Sequence, residues 1–153
     1  MMLSFEQLLG RFVVALVVGA ILGIERELVG KEAGVRTEML VAGGASIFTM
    51  IGLILPYVAA ANAHLAPDAA TITSGFGIVA NIVVGIGFLG AGLILHNGDH
   101  IRNLTTAAIV WMTAAIGILA GLGLFEFAFA TAVIVAVVLY ALRALRFSEA
   151  SLK

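Results

Sequence analysis

The most charged stretch of this chain is GIERELVGKEAGVRTE, residues 23–38. It brings Glu25, Arg26, Glu27, Lys31, Glu32 and Arg36 close together. Carboxylates in such a setting attract cations and pair with arginines on a neighbouring helix. As a solvated turn, the same charges would pair with one another at under about 1 kcal/mol each. Glu25 follows directly on an apolar run, which places it at the mouth of a membrane span. Gly34 marks a sharp turn before the next apolar run, and Lys31 and Arg36 would anchor the connection on one side of a membrane.

A second constellation is LHNGDHIRNLTTAAIVW, residues 95–111. Asn97-Gly98 predicts a tight turn. Asn103 or Thr105 can cap the helix that follows by accepting hydrogen bonds from its free N–H groups. The positive end of that helix, with Arg102 beside it, suits an anion or a carboxylate such as Glu25. His96 and His100 are four apart, but Gly98 between them breaks a continuous helix, so no metal site is expected. Cysteine is absent, which removes disulfides, thiolate chemistry and Cys-ligated zinc. No nucleophile–base pair is visible and the histidines fall in loops. No catalytic residue, cofactor or enzymatic activity is expected.

The third is VGIGFLGAGLIL, residues 84–95, where Gly85, Gly87, Gly90 and Gly92 interrupt an uncharged run. Each glycine costs roughly 1 kcal/mol against alanine inside a helix. The literal G-x-G-x-x-G at 85–90 is no dinucleotide fingerprint, because it lies mid-span and the position twenty beyond Gly90 is Val110 rather than an acid. Two readings remain. Small residues let helices approach closely in lipid, or the helix is kinked or partly unwound along a cavity. Asn81 lies one turn before Gly85 on the same face, as an interhelical hydrogen-bonding group or a ligand. Similar small-residue spacing recurs at Gly19/Gly23 and at Thr113/Gly117/Gly121. Arg11, inside the first apolar run, either faces the bundle interior or snorkels outward, about 9 Å of helix rise from Phe5. Glu6 is five residues away, a poor helical match.

These residues must be held by membrane helices. The chain has 153 residues, 62% hydrophobic and 11% charged, where a soluble domain is nearer half apolar and a quarter charged. Five stretches meet the roughly 20 residues that a bilayer core requires: Phe5–Ile24, Met39–Ala60, Gly75–Leu95, Leu104–Leu122 and Phe125–Leu142. So many apolar runs cannot all be hidden inside a small water-soluble bundle. Seven of the eight basic residues fall on one side of such a five-span layout, Arg11 being the exception. The positive-inside rule then puts the N-terminus outside and the C-terminus in the cytoplasm. The start, MMLSFEQLLGRF, reads as a mature membrane helix rather than a cleaved signal. The outer loop ANAHLAPDAAT is short, with Pro67 as a helix stop. The expectation is one all-α transmembrane domain over residues 1–147 with a short cytoplasmic tail at 148–153. A net charge of -1 and the absence of a basic tract give nucleic acid no footprint.

Taken together, GIERELVGKEAGVRTEMLVAGGA, VGIGFLGAGLIL and IRNLTTAAIVWMTAAIGILAGLG resemble the MgtC/SapB family of bacterial membrane proteins, over most of residues 10–124. The resemblance implies an inner-membrane bundle, often of five spans. Its signature positions match Glu25, Arg26 and Glu27; Ala33, Gly34, Arg36 and Thr37; Gly85 through Gly92; and Leu104 through Ala108, which include Thr105 and Thr106, with Trp111. Arg11 also fits the family pattern. The chain departs where relatives carry an Asp and an Arg at the start of segment 3, here Ser74 and Gly77. It has Asn81 for a usual Gln and Asn103 for a usual Gly. Many relatives carry a soluble C-terminal domain, and this sequence stops at Lys153, so any role of that domain is expected to be absent or supplied by another chain. The resemblance further implies adaptation to low magnesium and regulation of a membrane partner such as the F-type ATP synthase, and the Gly and Thr faces would be the interface with that partner or with a second copy in a homo-oligomer. The competing expectation is a small oligomeric channel or transporter, with Asn81 and the glycines along its path and Glu25 at its mouth.

Overall fold

The computed structural model describes residues 3–66, 68–97 and 100–150. Its order is α1 (Phe5–Leu28), α2 (Val35–Asn62), α3 (Ala69–Leu93), β1 (Leu95–Asn97), β2 (His100–Arg102), α4 (Leu104–Leu122) and α5 (Phe125–Ala150). All five helices are long and apolar enough to cross a membrane. The expected all-α bundle is present, with one small antiparallel hairpin added, in which Leu95 pairs with Arg102 and His96 with Ile101. Gly98 of the expected Asn97-Gly98 turn lies outside the described residues, as do Pro67 and the side chains of His96 and His100.

Helix ends show what local chemistry adds to hydropathy. Ser4 and Gln7 form a reciprocal capping box that starts α1. α1 then continues four residues past the expected Ile24 and takes Glu25, Arg26 and Glu27 into its last turn. α2 starts four residues before the expected Met39. Its N-cap, Gly34, has no side chain to offer, and Glu27 replaces it by accepting from the Val35 N–H at 3.0 Å. Between them the chain reverses through Gly30 at φ +64. α3 begins at Ala69 rather than Gly75 because Asp68 caps it, accepting from the Thr71 N–H at 2.7 Å. Hydrogen bonding from Thr71, by its side chain first and then by this N–H, holds the Asp68 carboxyl below its usual range. α4 and α5 start as expected, separated by Gly123 at φ +86.

α2 is the central helix, in contact with α1, α3 and α4, while α5 leans on α1 and α4. The core is built largely of alanine: Ala15, Ala42, Ala120, Ala128 and Ala132, with Val18, Leu22 and Ile116. In lipid there is no hydrophobic drive for helices to associate, so close backbone packing must supply the attraction. It does so at Gly19 and Gly23 on α1, where an added Cβ would strike the Glu38 carbonyl and the Val35 backbone. It does so again at Gly117 and Gly121 on α4, set against the backbones of Ala42 and Ser46. The expected packing role of these two rows is realised within the chain.

Candidate functional site

The buried end of α1 carries the charge. Arg26 is 4% exposed. Its Nη1 donates to Glu25 Oε2 at 3.4 Å, and its Nη2 donates to Thr106 Oγ1 on α4 at 3.3 Å. Glu38, in the first turn of α2, has no exposed surface at all. Its carboxylate faces Thr113 on α4 and the field of Arg26. Neither of its oxygens has a hydrogen-bond partner among the described residues, and the same holds for Arg26 Nε, Thr113 Oγ1 and Ser46 Oγ. Buried polar groups in native proteins are nearly always paired, and ionisable groups within a span are costly and mark sites. One guanidinium and two carboxylates thus meet two threonines where α1, α2 and α4 converge.

Sequence reasoning included Glu25, Arg26 and Thr106 but missed Glu38 and Thr113 as site residues. The available signal was phase. Once α2 is started at Val35, Glu38, Ala42, Ser46 and Thr49 fall on one stripe at helical spacing, and all four are buried. Starting it at Met39 puts Glu38 in a loop.

The remaining candidates separate into different places. Glu27 and Gly34 form the cap of α2: a Cβ on Gly34 would sit 2.9 Å from Glu27 Oε2. Arg11 does not pair with Glu6 but reaches the far end of α4. Its Nη1 donates to the Gly121 carbonyl at 2.6 Å, and its guanidinium lies against Gly123. It closes the C-terminus of α4, where the helix leaves carbonyls unpaired and the dipole favours a cation. Asn103 occupies the N-cap position of α4 at φ +66, with no capping hydrogen bond from its side chain. The expected side-chain cap is therefore not made. Asn tolerates the left-handed region, where most residues are strained. Thr105 is exposed and Thr106 is the threonine turned inward. Arg102 ends β2 on the surface, and Trp111 borders a small gap with Ile82 and Ile86 of α3.

The glycine-rich helix is unbroken: α3 is α-helical from Ala69 to Leu93, so the unwound reading is not met. Its glycines do not act alike. Gly90 meets Ala107 of α4 at ordinary contact distance, 3.8 Å. Gly85, Gly87 and Gly92 have nothing within 4 Å of an added Cβ. Asn81 and Gly85 line a crevice of about 730 Å³ between α2 and α3, which Arg36 and Thr37 also border. Glu25 is not among its lining residues. The supposed mouth and the supposed path are thus different parts of the molecule. Gly77, Ala80, Val84, Gly87 and Ala91 share the opposite face and are all exposed.

Similarity to known proteins covers this same framework. The MgtC family model matches residues 12–147. The protein named MgtC of Salmonella typhimurium is 40% identical over 134 residues, which is 88% of this chain and 51% of the relative. An uncharacterized protein of Synechocystis is 39% identical over 143 residues, 94% of this chain and 55% of that one. The putative magnesium transporter YhiD of Escherichia coli is 37% identical over 119 residues, 75% and 53% respectively. The chain therefore spans about half the length of the curated relatives it matches. No solved structure matches. With five spanning helices and these relatives, this is a multi-pass protein of the bacterial inner membrane. The chain belongs to the MgtC family.

Proposed function

We propose that the chain is a regulator in magnesium homeostasis that works by presenting α3 to the transmembrane helix of a membrane partner. The observation that carries this is the outward face of α3. Gly87 sits there with nothing of its own chain near it, between exposed Ala80, Val84 and Ala91. An uncompensated helix glycine costs about 1 kcal/mol. Spacing small residues by three and four along one lipid-facing stripe is how membrane helices prepare a close contact. The Thr113/Gly117/Gly121 row does not serve this purpose, since α2 already fills it. The link to magnesium rests on the relatives, one of them a putative magnesium transporter. With the basic connections inside, the N-terminus faces out and the C-terminus faces the cytoplasm.

Transport is supported less well. Among the described residues no carboxylate lines the α2/α3 crevice, whose mouth instead carries the cation Arg36, whereas Mg²⁺ needs oxygen ligands and sheds water reluctantly. The test uses the absence of cysteine. A single Val84→Cys variant, crosslinked in native membranes, is expected to trap a helix of a partner or of a second copy, and Gly87→Leu in the same background is expected to abolish the adduct. An adduct unchanged by Gly87→Leu, or Mg²⁺ entry into sealed liposomes carrying the purified chain, would refute the regulator reading.

A further inference from the structure

The crevice on the other side of α3 has its own chemistry. It is open, largely apolar apart from Thr37 and Asn81, and bounded by α2 and α3. Arg36 stands at one end, exposed, with no hydrogen bond or ion pair among the described residues. From Arg36 the lining descends along α2 past Gly44 to Phe48, about 18 Å of helix rise. On α3 it is formed by Asn81, Gly85 and Leu89, among others. The missing side chains at Gly44 and Gly85 leave the slot open, since neither has anything within 4 Å of an added Cβ. One leaflet of hydrocarbon is about 15 Å deep, so the slot has the depth of a single acyl chain. The cation sits where a headgroup phosphate would lie.

We propose that this crevice is a binding site for one anionic phospholipid, with an acyl chain between α2 and α3 and its phosphate on Arg36. The leaflet is the one on the side of the basic connections, which the charge distribution makes cytoplasmic. Charge complementarity selects the occupant. A second protein helix would bury an unpaired guanidinium, whereas a phosphate neutralises it by bidentate hydrogen bonds. Basic pockets between helices on that side of a membrane hold anionic headgroups in the same way. The site is independent of the Gly87 face.

The test is native mass spectrometry of the purified chain in detergent with phosphatidylglycerol or phosphatidylcholine added, counting retained lipids. The expected result is one phosphatidylglycerol retained in preference to phosphatidylcholine. Arg36→Gln should weaken that retention about fivefold, the equivalent of ~1 kcal/mol for one basic residue at the surface. Arg36→Lys should keep most of it. Gly85→Leu, which meets no atom of its own chain within reach of its Cβ, should fill the slot and remove the bound lipid while helicity and melting stay as in the parent. Lys31→Gln is the control and should change nothing. Equal retention of both lipids overturns the proposal. So does retention indifferent to both Arg36→Gln and Gly85→Leu, or a dimer that Gly85→Leu dissociates.

Discussion

Replacing Gly117 by alanine should destabilise this protein, and replacing Gly87 by alanine should not. The two positions are both glycines inside apolar helices, and propensity alone treats them alike, with a gain of about 1 kcal/mol for each. The structure separates them. At Gly117 the new Cβ would fall on the Ala42 carbonyl oxygen and lie 2.8 Å from its Cα. These are backbone atoms of the central helix, which cannot rotate out of the way. Overpacking costs roughly 1–3 kcal/mol, and a clash with backbone belongs at the top of that range. Subtracting the propensity gain leaves a net loss of about 2 kcal/mol. At Gly87 nothing lies within 4 Å, so the propensity gain stands and the two variants should differ by about 3 kcal/mol. Reversible unfolding in mixed micelles, followed by circular dichroism, measures both. A Gly117→Ala protein as stable as its parent would refute the close α2–α4 approach and the packing account built on it.

Arg26→Met should cost about 3 kcal/mol or more, because it breaks the ion pair with Glu25 and the bond to Thr106 and takes away the positive field at buried Glu38. Adding Glu38→Gln should restore part of that loss, and a double-mutant cycle in the same unfolding assay reads the coupling; strictly additive effects would dissociate the two residues. Arg11→Ala should cost about 1.5–3 kcal/mol, the worth of a hydrogen bond from a charged donor, and should raise amide exchange around Gly121 and Gly123; unchanged exchange there would remove Arg11 from the helix end. The Asp68 carboxyl lies below its usual range when folded, so its capping contribution is present above the ordinary carboxylate pKa and fades as pH falls through the lowered folded value. The protection factor of the Thr71 amide, its exchange relative to the intrinsic rate at each pH, should therefore fall on acidification, and Asp68→Asn, which keeps an acceptor, should flatten that dependence.

The five spans were legible because their apolar runs are long and the bilayer sets their length. Helix ends were less so, for a physical reason visible at Glu27. A carboxylate that caps the next helix across a turn is a tertiary contact between residues eight apart, and hydropathy reads it as loop. Losing that end also lost Glu38, whose burial depends on which turn of α2 it belongs to. Arg11 is a similar case: its acceptor, Gly121, is 110 residues away, so no spacing rule could join them. The glycine rows were legible as packing surfaces but not as to their partner. Gly85 and Gly87 are two residues apart and so face nearly opposite ways around α3. Only the placement of α2 decides that one lines a crevice and the other meets lipid.

The distribution of polar groups bears on how such a protein acts. A conduit through the chain itself would run along its polar interior, and that interior is already spanned: Arg26 reaches from α1 to Thr106 on α4, and Glu38 of α2 faces Thr113. Gly19, Gly23, Gly117 and Gly121 draw the same three helices to backbone contact on either side of those charges. Opening a path there would separate Arg26 from Glu38 and forfeit the close packing in the same movement. It would also break the bond from Arg26 to Thr106 and leave a buried charged donor without it, so such an opening is opposed by two unrelated terms. α3 is under no such constraint. Of its residues only Gly75, Ile82 and Gly90 are buried, and its Asn81 and Arg36's guanidinium across the crevice have no hydrogen-bond partners among the described residues. In hydrocarbon and at its edge, groups left in that state find partners outside the chain. The unpaired groups that another molecule can reach without opening the bundle are therefore on its outer surface, where a lipid or a second helix can complete them.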